Sequence, residues 1–314
     1  MLVWHRKRLL YKPGGNHDWS QEYAQVPRGY IDNGVLRIFY ATRGLADSDA
    51  NYVSNIGCVS VKDESDLSVI KCDEQQVLAP GKVGRFDHYG VMPGSVNVVD
   101  GKIYLYYTGW SRKTDVPYST AIGLAISDDG KSFYHRTEGP ILGLDDVDPY
   151  LVNGPFVYRH DNHFHMWYAS ATKWFQSNKR WECHYDIRHA VSNDGLTWHK
   201  SGKPCIQPVL EDECQNAPCV FRHNKRFHMI FCYRYATDFR NSERGYRIGY
   251  AYSEDLEHWV RDDSLLEFSG AQSDWDNEMM CYPWVTQFND KMYLFYCGNY
   301  FGRAGFGFAE LLGG

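Results

Sequence analysis

The sequence predicts an all-β fold, a five-bladed β-propeller with four antiparallel strands per blade, formed by residues 1–314 as a single domain. Three observations predict it. Five prolines (Pro27, Pro93, Pro155, Pro218 and Pro283) recur at gaps of 66, 62, 63 and 65 residues. Each opens the same pattern of an alternating strand, a tight polar turn and an aromatic-rich strand, as in VPRGYIDNGVLRIFYA and GPFVYRHDNHFHMWYA. The last repeat is one strand short, while the N-terminus carries a strand that no other repeat claims. A period of this length signals units that cannot bury their apolar faces alone and must stack or close into a ring.

Within each repeat the elements follow in order. The turns DNG, VDGK, RHDNH, RHNKR and FNDK favour antiparallel hairpins, and Val, Ile, Tyr and Phe fill the flanking strands. A third strand is expected at IGCVS from Ile56, IGLAIS from Ile122, IRHAVS from Ile187, IGYAYS from Ile248 and FGFAEL from Phe306. Turns such as SDDGKS and SNDGLT then lead to a fourth strand, as at FYHRTEGPIL from Phe133, WHKSGKPCI from Trp198 and WVRDDSLLEF from Trp259. Val3 to Leu10 is expected to complete the last blade as its outer strand and so close the ring, which protects exposed strand edges.

Composition narrows the function. Net charge is −6 with acids and bases interspersed, so nucleic acid is not an expected partner. No apolar run approaches the ~20 residues of a membrane span, and the polar N-terminus enters a strand, so neither a membrane nor a signal peptide is expected. Nine cysteines are scattered and without CxxC pairs; most fall in apolar strands (Cys58, Cys232, Cys297) and read as buried thiols, so a cytoplasmic setting is expected. His163, His165 and His228 repeat as packing residues rather than metal ligands; no metal and no cofactor are expected, and protein partners are not legible.

In a four-strand meander, the loops joining strands two and three share a face with the links between blades. Here those loops (42–54, 109–120, 170–185 and 235–246) are long and chemically rich, which points to ligand binding on that face. Five residues before each proline stand Glu22, His88, Tyr150, Glu213 and Glu278, with Asp18, Asp87, Asp148, Asp212 and Asp276 nearby. Convergence of five blades would crowd these acids at one mouth, raise the pKa of at least one, and supply an acid–base pair for a glycosidic bond. Taken singly, each also reads as a solvated loop acid. Aromatic residues of the same loops, Trp110 and Trp174 foremost, offer flat faces for sugar rings. Arg43, Arg188 and Arg234 are placed either to neutralise neighbouring acids or to hold an anionic substrate.

The blade rhythm and the SDDGKSF and SNDGLTW turns resemble, over essentially the whole chain, the furanosidase-type propeller clan that includes glycoside hydrolase families 43, 32, 62 and 130. The chain looks nearest to glycosidase-related propellers encoded among bacterial surface-polysaccharide genes. In families 43 and 32 the base or nucleophile is an aspartate directly before a blade-one proline, and the acid is a glutamate two before a blade-four proline. Val26 and Asn216 occupy those positions here. Glu213-Cys214 is similar to the Glu-Cys pair of family 32 but three residues early, and Val147 to Pro149 is similar to its RDP with Val for Arg. The resemblance therefore implies the fold more firmly than the catalytic set. Together these readings make a glycoside hydrolase acting on an oligosaccharide or glycoside, with Glu213 as general acid, Asp87 or Glu278 opposing it and Asp148 tuning the pair. Glu22, His88, Arg43, Trp110, Trp174, Arg188 and Arg234 would bind substrate. A glycosyl-transferring relative and a non-catalytic glycan-binding propeller are the alternatives.

Overall fold

The computed structural model describes residues 1–46 and 52–313, so the middle of the 42–54 loop lies outside the described residues. Unit I comprises Glu22–Asp32, Val35–Arg43, Ser54–Asp63 and Leu67–Cys72; unit II comprises Gly90–Val99, Lys102–Arg112, Tyr118–Ser127 and Tyr134–His135. Unit III is Val152–His160, His163–Ser177, Arg180–Ser192 and His199–Pro204; unit IV is Glu213–His223, Arg226–Tyr235, Arg247–Ser253 and Val260–Arg261. Unit V combines Cys281–Phe288, Lys291–Cys297 and Phe306–Leu312 with the N-terminal strand Leu2–Tyr11. Consecutive strands pair antiparallel within each unit, and one parallel bridge, Ser54 with Gly90, joins units I and II into a single sheet.

Two details differ from the sequence reading. The N-terminal strand pairs antiparallel with Phe306–Leu312 but is not the outer strand, because Leu266–Ser269 pairs parallel along its far side. That segment belongs to the expected fourth strand of unit IV, which stops after Val260–Arg261. The break has a local cause. Asp262 caps a short 3-10 turn, Asp263–Leu265, and the Asp263 carboxylate accepts the N–H of Tyr250, ending the ladder. Unit II likewise keeps only Tyr134–His135 of its expected fourth strand.

The repeated turns explain their own sequence. Ser127, Ser192 and Ser253 each accept a backbone N–H three residues on, at 2.9 Å, while Asp129, Asp194 and Asp255 each accept two more. Those donated N–H groups hold all three aspartates below the usual carboxylate range.

The first strand of every unit carries a register shift at or beside its proline. Such a bulge re-aims the residues around it. The residue before the proline is left-handed in four units: Val26 at φ 54°, Gly154 at 59°, Ala217 at 50° and Tyr282 at 56°. First strands also pack in succession, Glu22–Asp32 on Gly90–Val99, then Val152–His160, Glu213–His223, Cys281–Phe288 and back to Glu22–Asp32. At Gly94 a Cβ would come 2.4 Å from the Pro155 carbonyl, so only glycine permits this approach of units II and III. Arg28, wholly buried, donates to the carbonyls of Gly94, Pro27 and Pro283 at 2.6, 2.8 and 2.9 Å, tying units II, I and V together.

The N-terminal strand buries Trp4 completely. Truncating one such side chain costs about 3–5 kcal/mol. Deleting residues 1–12 also bares the edges of Phe306–Leu312 and Leu266–Ser269, so it is expected to cost more than that and to lower the thermal midpoint sharply. An unchanged midpoint would remove the strand from the folding unit. A second expectation concerns pH. His189, buried between Trp167 and His165, has its pKa pushed down to about 4 by burial and then by His165. The unfolded chain then binds the extra proton first, so the stability from a neutral His189 is full above about pH 6.5 and is lost as pH falls toward about 4. Replacing His189 with Gln should flatten that part of a pH series of denaturant midpoints.

Candidate functional site

The pre-proline residues of all five units, Val26, Met92, Gly154, Ala217 and Tyr282, line one cavity of ≈ 530 Å³. Val26 holds a β-branched side chain in the left-handed region, at a cost of roughly 1–2 kcal/mol. Strain of this kind collects where a structure positions a ligand. Gln25, Asn153 and Asn216 add hydrogen-bonding groups, and Trp110, Tyr118, Trp181, Tyr185, Tyr246 and Phe301 add rings. Burial pushes the hydroxyls of Tyr185 and Tyr246 upward while Arg234 pulls them back, so both stand as neutral phenols, 2.7 Å apart.

Charge is distributed unevenly. Arg43, Arg180, Arg234 and Arg240 line the cavity, against one carboxylate among the described residues, Glu182. Arg240 grips Glu182 with both terminal nitrogens, at 2.6 and 3.4 Å. Glu182, Arg180 and Arg240 also line an adjoining outer hollow of ≈ 400 Å³ together with Asp238. Among the described residues no group of three or more His, Cys, Asp or Glu side chains is placed to hold a metal ion.

Of the residues that the sequence singled out, Arg43, Trp110 and Arg234 line this cavity. The expected catalytic acids do not come together there. Asp87, fully buried, accepts from the Tyr107 hydroxyl at 2.8 Å and from Arg85 at 3.2 Å. Asp148, also fully buried, accepts from Tyr168 at 2.9 Å, pairs with Arg188 at 3.1 Å and with Lys200 at 2.7 Å. Glu213 is buried against Arg261 at 2.6 Å and Gln215 at 2.8 Å. Glu278 is exposed on a link whose N–H donates to Asn299. Glu22 pairs with Arg303 at 2.8 Å, His88 bonds the Arg85 carbonyl through Nδ1 at 2.8 Å, and Trp174 packs edge-on to Tyr118 rather than lining the cavity. Arg188 neutralises Asp148 and Asp186, the first of the two roles open to it.

The recurrence of these acids has a structural origin. Asp87 with Tyr107, Asp148 with Tyr168 and Asp276 with Tyr296 are the same bond, each spanning 20 residues, and each ties a link to the second strand of its own unit. Unit IV has Phe231 in place of that tyrosine, and there Arg261 lies over the Phe231 ring and takes Glu213 instead.

Glu182, Arg180 and Arg240 were missed. Residues 170–185 read as a long loop, but the chain runs on as a hairpin from Ala171–Ser177 across Asn178-Lys179, both with positive φ (50° and 63°), into Arg180–Cys183. Two consecutive left-handed residues make the two-residue turn that matches strand twist. The signal available was the aromatic alternation of KWFQSNKRWECHY around SNK.

With this geometry in view, relatives and neighbours identify the class. No family model matches the chain. The fold is that of the glycoside hydrolase propellers. It superposes with a TM-score of 0.72, at 14% identity, on a structure from the family 130 of mannoside phosphorylases and glycoside hydrolases that target β-1,2-mannosidic linkages in Candida mannan, covering 98% of this chain and 93% of that one. Against the family 32 β-fructofuranosidase of Bombyx mori the TM-score is 0.65 at 17% identity, covering 96% of this chain and 61% of the other. The uncharacterised Mycobacterium tuberculosis proteins MT1551 and Rv1502 are each 31% identical over 312 residues, 99% of both chains, and this chain belongs to their family.

Removing one partner of a buried ion pair costs about 3–5 kcal/mol because the other charge is left unpaired. Glu213→Ala is therefore expected to lower stability by roughly 3 kcal/mol in denaturant titration while leaving ligand binding at the cavity intact. A variant of unchanged stability that has lost binding would return Glu213 to the site.

Proposed function

We propose that the protein is a carbohydrate-active enzyme, a glycosidase of the propeller type, whose substrate enters the cavity where the five pre-proline residues meet. The reading takes the five units as blades of a closed ring, supported by the cycle of first-strand packing. The single observation that carries the reading is the cavity itself, a ring-walled and polar hollow of ≈ 530 Å³, large enough for a sugar unit, continuous in its lining with an outer hollow of ≈ 400 Å³. Glycosidic cleavage needs a proton donor on one side of the bond and a base or nucleophile on the other. Glu182 lines both hollows and Asp238 lines the outer one, so the bond to be broken is assigned to their junction, with the sugar inside and its leaving group outside. Glu182→Gln should leave glycan binding in place and slow turnover of any substrate found in a glycan panel by about 10²–10⁴-fold.

One observation favours a second reading. Val26 and Asn216, in the positions where families 43 and 32 carry their acids, both line the cavity and neither can exchange a proton. A non-catalytic glycan-binding propeller fits that wall. If the wild-type protein binds a glycan but never turns it over, and Glu182→Gln binds it equally well, the enzyme is excluded and the binding protein remains.

A further inference from the structure

The arginines this fold buries are matched to acceptors with few exceptions. Arg37 meets Asp73 at 2.7 Å, Arg85 meets Asp87 at 3.2 Å, Arg188 meets Asp148 at 3.1 Å and Arg261 meets Glu213 at 2.6 Å. Arg28 has no carboxylate but is held by three carbonyls. Arg234 differs from all of these. It is buried in the cavity wall at 4% exposure, and among the described residues no carboxylate lies within ion-pair distance. Its Nη2 donates to the Tyr185 hydroxyl at 2.9 Å and its Nη1 to the Tyr235 and Ala236 carbonyls at 2.7 and 3.5 Å, but its buried Nε has no partner. The Phe239 ring lies 3.4 Å from the guanidinium carbon, with Tyr185 and Tyr246 at 5.2 and 5.5 Å. Rings offset part of a desolvated charge, but an unpaired buried cation is costly and needs a reason.

A second arginine of the same cavity repeats the arrangement on unit I. Arg43 lies 4.4 Å over Tyr23 and 5.5 Å over Tyr52, its buried Nε also lacks a partner, and it makes no ion pair among the described residues. Gln25 Oε1 and Thr120 Oγ1, on two further lining residues, are likewise buried without partners. Where this protein wants a cavity arginine neutral it supplies an acid, as Glu182 does for Arg240. Among the described residues, Arg234 and Arg43 have none.

We propose that the cavity selects a sugar carrying an oxyanion, a carboxylate or a phosphate ester, and that Arg234 and Arg43 are its specificity-determining residues. This rests on the reading of the cavity as a sugar site. Planar guanidiniums match both oxyanions through paired, charge-assisted bonds, and the rings that carry them leave apolar faces for the sugar.

The test is calorimetric titration of the full chain with glucuronic acid, glucose 6-phosphate, glucose and inorganic phosphate. At least one anionic sugar is expected to bind about tenfold or more tightly than glucose, a factor in keeping with hydrogen bonds to a charged group. The affinity should weaken as salt is raised. Comparison of the two acids distinguishes carboxylate from phosphate ester. Arg234→Gln and Arg43→Gln should each reduce that affinity about tenfold; Arg43 is partly exposed, so its variant keeps the test alive if Arg234→Gln fails to fold. Equal affinity for glucose, equal affinity for inorganic phosphate alone, unchanged affinity in both variants, or no binding of either anionic sugar at millimolar concentration would overturn the proposal. A neutral glycan turned over with dependence on Glu182 would overturn this proposal and spare the glycosidase. An anionic sugar bound through Arg234 without turnover of any glycan would do the reverse.

Discussion

The guanidinium of Arg28 sits where three units meet and gives its protons to the carbonyls of Pro27, Gly94 and Pro283. Burial lowers its pKa, since a cation without surrounding water is expensive, and the three carbonyl dipoles offset part of the cost. Those carbonyls are available because each first strand bulges at its proline and breaks its own ladder there. The same bulges turn the preceding residues toward the cavity. One arrangement therefore holds the centre of the molecule together and sets the five positions that frame the cavity.

What was legible in the sequence was whatever repeats. The proline register located the first strands, the hairpin turns located the second, and the unclaimed N-terminal strand found its place beside Phe306–Leu312. Legibility failed where two elements compete for one segment. Leu266–Ser269 continues the apolar pattern of unit IV, yet it pairs with the N-terminal strand because Asp262 and Asp263 cap a turn before it. Residues 171–183 read as a loop because they exceed the length of the equivalent segments, but Trp174 and Phe175 opposite Cys183 and Glu182 make a strand pair of them.

The expected acids lie away from the cavity for a related reason. Recurrence in a repeated fold marks a bond that several units share, and Asp87, Asp148 and Asp276 in units II, III and V each make it with a tyrosine 20 residues on. The information was present in the sequence as a pair. Where unit IV has Phe231, the bonding passes to Arg261 and Glu213. Reading acid and tyrosine together would have separated the pins from the site.

The cavity wall is built largely from departures from the repeat. Unit III extends its hairpin to carry Arg180, Trp181 and Glu182 to the cavity, and Arg234 enters from unit IV inside a cage of Phe239, Tyr185 and Tyr246. These residues lie apart from the pins that bear the fold, so the wall of the cavity can vary in charge without disturbing those bonds. The bulged prolines and the Asp–Tyr bonds are thus kept while Val26 and Asn216 stand in the cavity wall. Four guanidiniums against one carboxylate among the described residues leave the cavity wall with a positive balance. Glu182, locked by Arg240 at the junction of the two hollows, is the one acid left in the cavity wall among the described residues, and any bond chemistry there must work within the field those arginines create.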